Sequence, residues 1–123
     1  MSKGNILIVE DEYITALDLK TQLILKGHYD FEIVASGEEA VAKALAEKYD
    51  LIIMDIKLKG QMDGIEAAEK ILEKKEVAIV YVSGNSDLLY SNRLKKTKHV
   101  GLLRKPVYEY QLNKILEKIF NKN

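Results

Sequence analysis

The sequence predicts an α/β fold, a doubly wound parallel sheet built as (βα)5, and three observations carry that reading. Short apolar runs rich in β-branched residues recur five times. Longer stretches with helical spacing or helix-favouring composition follow each of them. Three of the runs are almost continuously apolar, as strands covered on both faces of a parallel sheet should be. Strand–helix alternation of this kind closes through right-handed crossovers.

Taken in order, "NILIV" at 5–9 is the first strand. Residues 12–26 form the first helix, with Ile14, Leu17, Thr21 and Ile24 along one stripe and Gly27 as its terminator. "DFEIVA" at 30–35 is the second strand, and 38–48, rich in alanine, glutamate and lysine, is the second helix with Ser36 as N-cap. "LIIM" at 51–54 is the third strand. From Gly64 onward Ile65, Ala68, Ile71 and Leu72 recur at helical spacing. "VAIVYVS" at 77–83 is the fourth strand, and 86–99 is the weakest helix, with polar interruptions and a basic end. "VGLL" at 100–103 is the fifth strand. Leu112, Ile115, Leu116, Ile119 and Phe120 then mark the clearest helix of all.

The bulk composition sets bounds. A chain of 123 residues, 47% hydrophobic and 31% charged, fits one globular domain spanning 1–123. Formal net charge is zero, so nothing global favours nucleic acid or an anionic membrane. The absence of cysteine excludes disulfides and thiolate chemistry. No run approaches the roughly 18 apolar residues of a membrane span. The expectation is a soluble cytoplasmic domain.

Ligands of such sheets bind at the carboxyl ends of the strands, where strand order reverses. In the flavodoxin-like order 2-1-3-4-5 that point lies between strands 1 and 3. Strand 1 runs into "VEDE" and strand 3 into Asp55, so Glu10, Asp11 and Asp55 meet in one cleft. Strand 4 adds Ser83 and Gly84, and strand 5 adds Arg104, Lys105 and Pro106. Crowded carboxylates repel unless a cation intervenes. A hard divalent ion suits them: Mg²⁺ takes one or two carboxylates together with water and phosphate oxygens. A lysine and a hydroxyl suit phosphoryl oxygens, leaving Asp55 as the nucleophile.

These residues, spread over four strand ends in order, resemble the receiver domain of two-component response regulators, the chemotaxis-regulator-like fold, over essentially the whole chain. The acid pair matches Glu10 and Asp11, the phospho-acceptor Asp55, the hydroxyl Ser83 with Gly84, and the lysine–proline pair Lys105–Pro106. The resemblance implies that a sensor histidine kinase or histidine phosphotransfer protein passes a phosphoryl group to Asp55. It implies Mg²⁺ on Asp11, Asp55 and the Lys57 backbone carbonyl, with Glu10 acting through water. Lys105 and Ser83 would hold the phosphoryl oxygens, while Lys57 and Asn85 would tune its lifetime. Output would pass to a partner or output domain through the face of helix 4, strand 5 and helix 5. Dimerisation there would use Leu88, Leu89, Tyr108 and Tyr110. A single-domain regulator, a relay and a piece of a hybrid kinase or larger regulator all remain open.

Three positions depart from the family pattern. Leu102 stands at the switch position, which usually holds an aromatic residue; Lys59 replaces a proline; and "LKGQMDG" is one residue longer than the common loop. Leu102 therefore keeps a second reading open, a pseudo-receiver that binds a protein partner without phosphorylation. A flavin-binding flavodoxin fits poorly, because "VEDEYIT" offers acids where a phosphate-cradling loop belongs. A phosphatase would want an acid at Lys57. The remaining features read blandly. Glu12 favours the N-terminus of helix 1, Asp63–Gly64 turn into helix 3, and Lys95, Lys96 and Lys98 are a solvated helix end. His28 and His99 are not ligands, and Tyr81 and Tyr90 carry no assigned role.

Overall fold

The computed structural model describes residues 2–27, 29–84 and 91–120. Strands β1 (Gly4–Val9), β2 (Tyr29–Val34), β3 (Leu51–Asp55), β4 (Ala78–Ser83) and β5 (Gly101–Arg104) alternate with helices α1 (Tyr13–Lys26), α2 (Gly37–Ala46), α3 (Gly64–Leu72), α4 (Ser91–Lys95) and α5 (Glu109–Phe120). All strand pairs are parallel, in the order β2-β1-β3-β4-β5. This is the flavodoxin-like doubly wound sheet that the alternation predicts.

Side chains alternate across a strand, so each central strand feeds two cores. Leu7, Val9, Ile52, Met54, Ile79 and Tyr81 pack on one face under α2 and α3. Ile6, Ile8, Leu51, Ile53, Val80 and Val82 pack on the other, against Leu19 and Leu23 of α1 and Leu112, Ile115 and Leu116 of α5. Every residue of β3 is buried, which explains its unbroken apolar run.

Helix ends follow the expected chemistry. Gly27 terminates α1 at φ 71, in the left-handed region that glycine enters without strain. The Ser36 hydroxyl accepts from Glu39 N at 3.1 Å and caps α2. Replacing Ser36 with Ala is expected to cost about 1 kcal/mol, read as a lower urea midpoint at unchanged slope.

Two expectations need correction. The stripe Ile14, Leu17, Thr21 and Ile24 is solvent-facing; α1 buries Ala16, Leu19 and Leu23 instead. Both sets recur at helical spacing, so periodicity could not choose between them. The short link Glu10–Glu12 fixes the rotation at which α1 leaves the sheet. The fourth helix is also shorter at its basic end: α4 stops at Lys95, and Lys96 N and Thr97 N turn back to the Arg93 and Leu94 carbonyls. Thr97 is buried, with its hydroxyl on Arg93 O, and Val100 N already bonds Ile79 O, so the chain must extend into β5 there. Residues 86–90 of that predicted helix lie outside the described residues.

Candidate functional site

The cleft forms because the neighbouring strands β1 and β3 run into acids at one edge of the sheet, while β4 ends there in Ser83 and β5, beyond it, runs into Lys105. Immediately after β1, Glu10 N bonds Val34 O of β2, which holds Glu10 in line with the sheet. Glu10 is buried and Asp11 half-buried. Asp55, the last residue of β3, is 2% exposed. Its backbone lies against the start of α3, where a Cβ on Gly64 would overlap the Asp55 carbonyl oxygen. Only glycine permits that approach. Carboxylate oxygens of Glu10, Asp11 and Asp55 all lie within 4.8 Å of one another.

Lys105, just past β5, reaches across the strand ends. Its Nζ is 3.3 Å from Asp55 Oδ2, 3.2 Å from Glu10 Oε1 and 2.6 Å from Glu12 Oε1. Lys105 N donates to Ser83 O at 2.8 Å, which ties the lysine segment to the end of β4. Ser83 is buried, one residue beyond Val82, the register partner of Asp55. Lys57 is exposed, and its N–H reaches Asp55 Oδ1 at 3.4 Å. The Lys105–Pro106 bond is cis.

Charge balance in the cleft is uneven. The Asp55 carboxyl is pushed up to about 8, first by burial and then by the hydrogen bond and charge of Glu10, against the pull of Lys105. Against the burial that would lower it, Lys105 is held above the ordinary lysine range by Glu12, Asp55 and Glu10. Glu10 Oε1 is buried and accepts no aligned hydrogen bond among the described residues, although the Lys105 ammonium is close enough to act on it by charge. One lysine thus serves several acids. Oxygen donors with surplus negative charge suit a hard divalent cation.

Other sequence-marked residues lie apart from this centre. Leu102 is 39% exposed and pairs in register with Tyr81 of β4. Tyr81 is fully buried, its ring edge-on to His99 at 5.3 Å. Tyr108 and Tyr110 are exposed and stack at 6.2 Å. Asn85, Leu88, Leu89, Tyr90 and His28 lie outside the described residues.

Three contacts escaped the sequence reading. Glu12, read as serving the helix dipole, makes no side-chain cap and instead takes the short ion pair with Lys105. Lys59 N donates to Asp11 Oδ2 at 2.8 Å, and a backbone donor leaves no trace in a side-chain motif. Asp63, read as a turn residue, caps α3 in a reciprocal box with Glu66 and grips Arg93 of α4. The D-x-x-E spacing of "DGIE" was the available signal for the box; nothing local announces Arg93.

Known proteins resemble this chain in sequence and fold. A family model described as the response regulator receiver domain matches residues 6–117. The transcriptional regulatory protein PdtaR of Mycobacterium tuberculosis is 35% identical over 101 residues, covering 82% of this chain and 49% of that protein. ResD of Bacillus subtilis, also a transcriptional regulatory protein, is 35% identical over 86 residues, covering 70% of this chain and 35% of its own length. The chain therefore spans half or less of these curated relatives. The signal receiver domain of a modulated diguanylate cyclase from Desulfovibrio desulfuricans superposes with TM-score 0.87 at 32% identity, covering 97% of this chain and 94% of that one. The receiver domain of a sensor histidine kinase from Pseudomonas aeruginosa, solved with a magnesium ion coordinated in its active-site cleft, superposes with TM-score 0.87 at 27% identity, covering 97% and 98%.

Proposed function

Because the chain belongs to the response regulator receiver domain family, a family of signalling modules, we propose that it is a phosphorylation switch whose acceptor is Asp55. The observation that carries this reading is the gathering of Glu10, Asp11 and Asp55 oxygens within 4.8 Å, with Lys105 Nζ at the same strand ends. A phosphohistidine of a sensor kinase or phosphotransfer protein is the donor. An Asp55 oxygen attacks phosphorus, a P–O bond forms, the P–N bond breaks, and the imidazole nitrogen leaves with the bonding electron pair.

Residues of the chain divide the work. Asp11, Asp55 and the Lys57 carbonyl would hold Mg²⁺, with Glu10 acting through water. The magnesium in the Pseudomonas receiver's cleft supports the same ion here. Such an ion supplies charge neutralisation for the acids and the incoming phosphoryl oxygens. Lys105 exchanges its grip on Asp55 Oδ2 for a phosphoryl oxygen, and the Ser83 hydroxyl takes another. Lys57 and Asn85 set how long the acyl phosphate lasts. Exposed Tyr13, Ile14 and Leu17 on α1 give the donor an apolar rim beside the cleft.

On this reading residues 1–123 are one cytoplasmic receiver that turns over no separate substrate and binds neither nucleic acid nor membrane. No described helix is long and apolar enough to cross a membrane. Output goes to a partner or output domain through α4, β5 and α5. The second reading, a pseudo-receiver, is favoured by Leu102 alone, whose aliphatic side chain cannot act as an aromatic switch. Intact mass after incubation with acetyl phosphate separates the two. A Mg²⁺-dependent phosphoryl adduct, absent from Asp55→Asn, is the expected result. No adduct on the folded protein from acetyl phosphate or from a phosphohistidine donor would sink the switch.

A further inference from the structure

On that reading the cleft must signal to α4 without an aromatic residue at Leu102. We infer that the loop from Lys57 to Asp63 is the route, fastened to Asp11 through the Lys59 N–H and to α4 through the Asp63–Arg93 pair. The proposal rests on the phosphorylation reading and goes beyond it by naming how this chain transmits the signal.

At the cleft end, Lys59 N donates to Asp11 Oδ2 at 2.8 Å. Proline has no N–H to give, so the departure at Lys59 creates this contact. A carboxylate has two oxygens, and one of them remains available to a cation while Oδ2 keeps Lys59. Movement of Asp11 is thereby handed to the loop.

At the far end, Arg93 Nη1 donates to Asp63 Oδ2 at 2.7 Å and Nη2 to Oδ1 at 3.2 Å. A two-point pair of this kind fixes direction as well as distance. Asp63 Oδ1 also accepts from Glu66 N at 2.9 Å, so the carboxylate cannot simply swing aside. Leu58 is buried just before Lys59, and Met62, just before Asp63, packs against the core, so the exposed Gly60–Gln61 bend is pinned on both sides rather than left a slack tether. The loop bends at Gly60, which adopts φ 103.

β4 runs beneath α4, where Leu94 joins the core and the buried Tyr81 hydroxyl lies beside Thr97, just past the helix. Those contacts seat α4 on the sheet, whereas Arg93 gives it a two-point grip on the loop.

The test is hydrogen–deuterium exchange of the peptide covering 91–97 in the whole chain, with and without Mg²⁺ and acetyl phosphate, with adduct yield read by intact mass on the same samples. In the native protein, exchange in that peptide should change by about fivefold or more, the lower end of ordinary coupling. Arg93→Met and Lys59→Pro should take the adduct as fully and lose that change. The double variant should lose no more than either single one, because the two contacts act in series. An α4 response that persists at full size in Arg93→Met, or that is missing from the native adduct, overturns the link while leaving the phosphorylation reading intact. Absence of the adduct in the native protein overturns both. Should Lys59→Pro fail to fold, Arg93→Met alone decides.

Discussion

Replacing Asp55 with Asn is expected to stabilise the metal-free protein at pH 8 by about 2 kcal/mol, because a buried carboxylate there is a burden on the fold. The Asp55 carboxyl is pushed up to about 8 from its ordinary 3.8, first by burial and then by Glu10. Below about pH 4 the group is protonated in both the folded and the unfolded chain, so its favourable contribution is fully present. As pH rises from there, the unfolded chain releases the proton while the folded one keeps it. Stability then falls by up to about 1.4 kcal/mol per pH unit, until the folded carboxyl itself ionises near pH 8. Relaxation of Lys105 and entry of water take back part of that span. The Asn variant, with its amide oxygen still available to Lys105, should show a flatter profile. Urea unfolding at pH 5 and pH 8 in a chelator reads the difference. Equal slopes for the two proteins would show that Asp55 does not carry this charge burden. Mg²⁺ at about 100 times its dissociation constant should add about 2.7 kcal/mol to the native protein and much less to the Asn variant.

The opposite sign is expected at Lys105. Lys105→Met keeps the aliphatic stem but removes a cation placed on both Asp55 and Glu10. Stripping one partner from a buried ion pair typically costs several kcal/mol, and about 3 kcal/mol is expected at pH 8 without metal. Lys105, raised above its ordinary 10.5, stays charged from pH 5 to pH 8, so it sets no slope of its own in that window. The deficit should nevertheless shrink towards pH 5, because Asp55 is then neutral in the folded state and has less need of a cation. Added Mg²⁺ should recover part of the loss. A deficit that is the same at both pH values and indifferent to Mg²⁺ would show that packing of the stem, not charge, holds Lys105 in place.

The sheet was legible because parallel strands covered on both faces have little freedom of composition. β3 is buried throughout, and its apolar run announced that directly. The acids were legible as strand-end residues for the same reason: Asp55 follows four apolar side chains and could only be the end of something. What escaped depends on rotation and backbone. Helix α1 is apolar on two faces, and Leu19 and Leu23 face the core through a phase set by the three-residue link before it. The brevity of α4 at its basic end depends on Thr97 finding Arg93 O, a choice between two local hydrogen bonds. The Asp63–Arg93 pair joins residues 30 positions apart, and only the packing of α3 beside α4 brings them together.

The hold of Lys59 on Asp11 also has a consequence for descent. The bond is made by the main chain, so any amino acid except proline can supply it. Selection acting on it would preserve no side chain at that position, only the avoidance of a single residue. Related chains that keep an aliphatic residue where Leu102 stands should vary freely at the position of Lys59 while excluding proline from it, and should keep a paired acid and base where Asp63 and Arg93 stand.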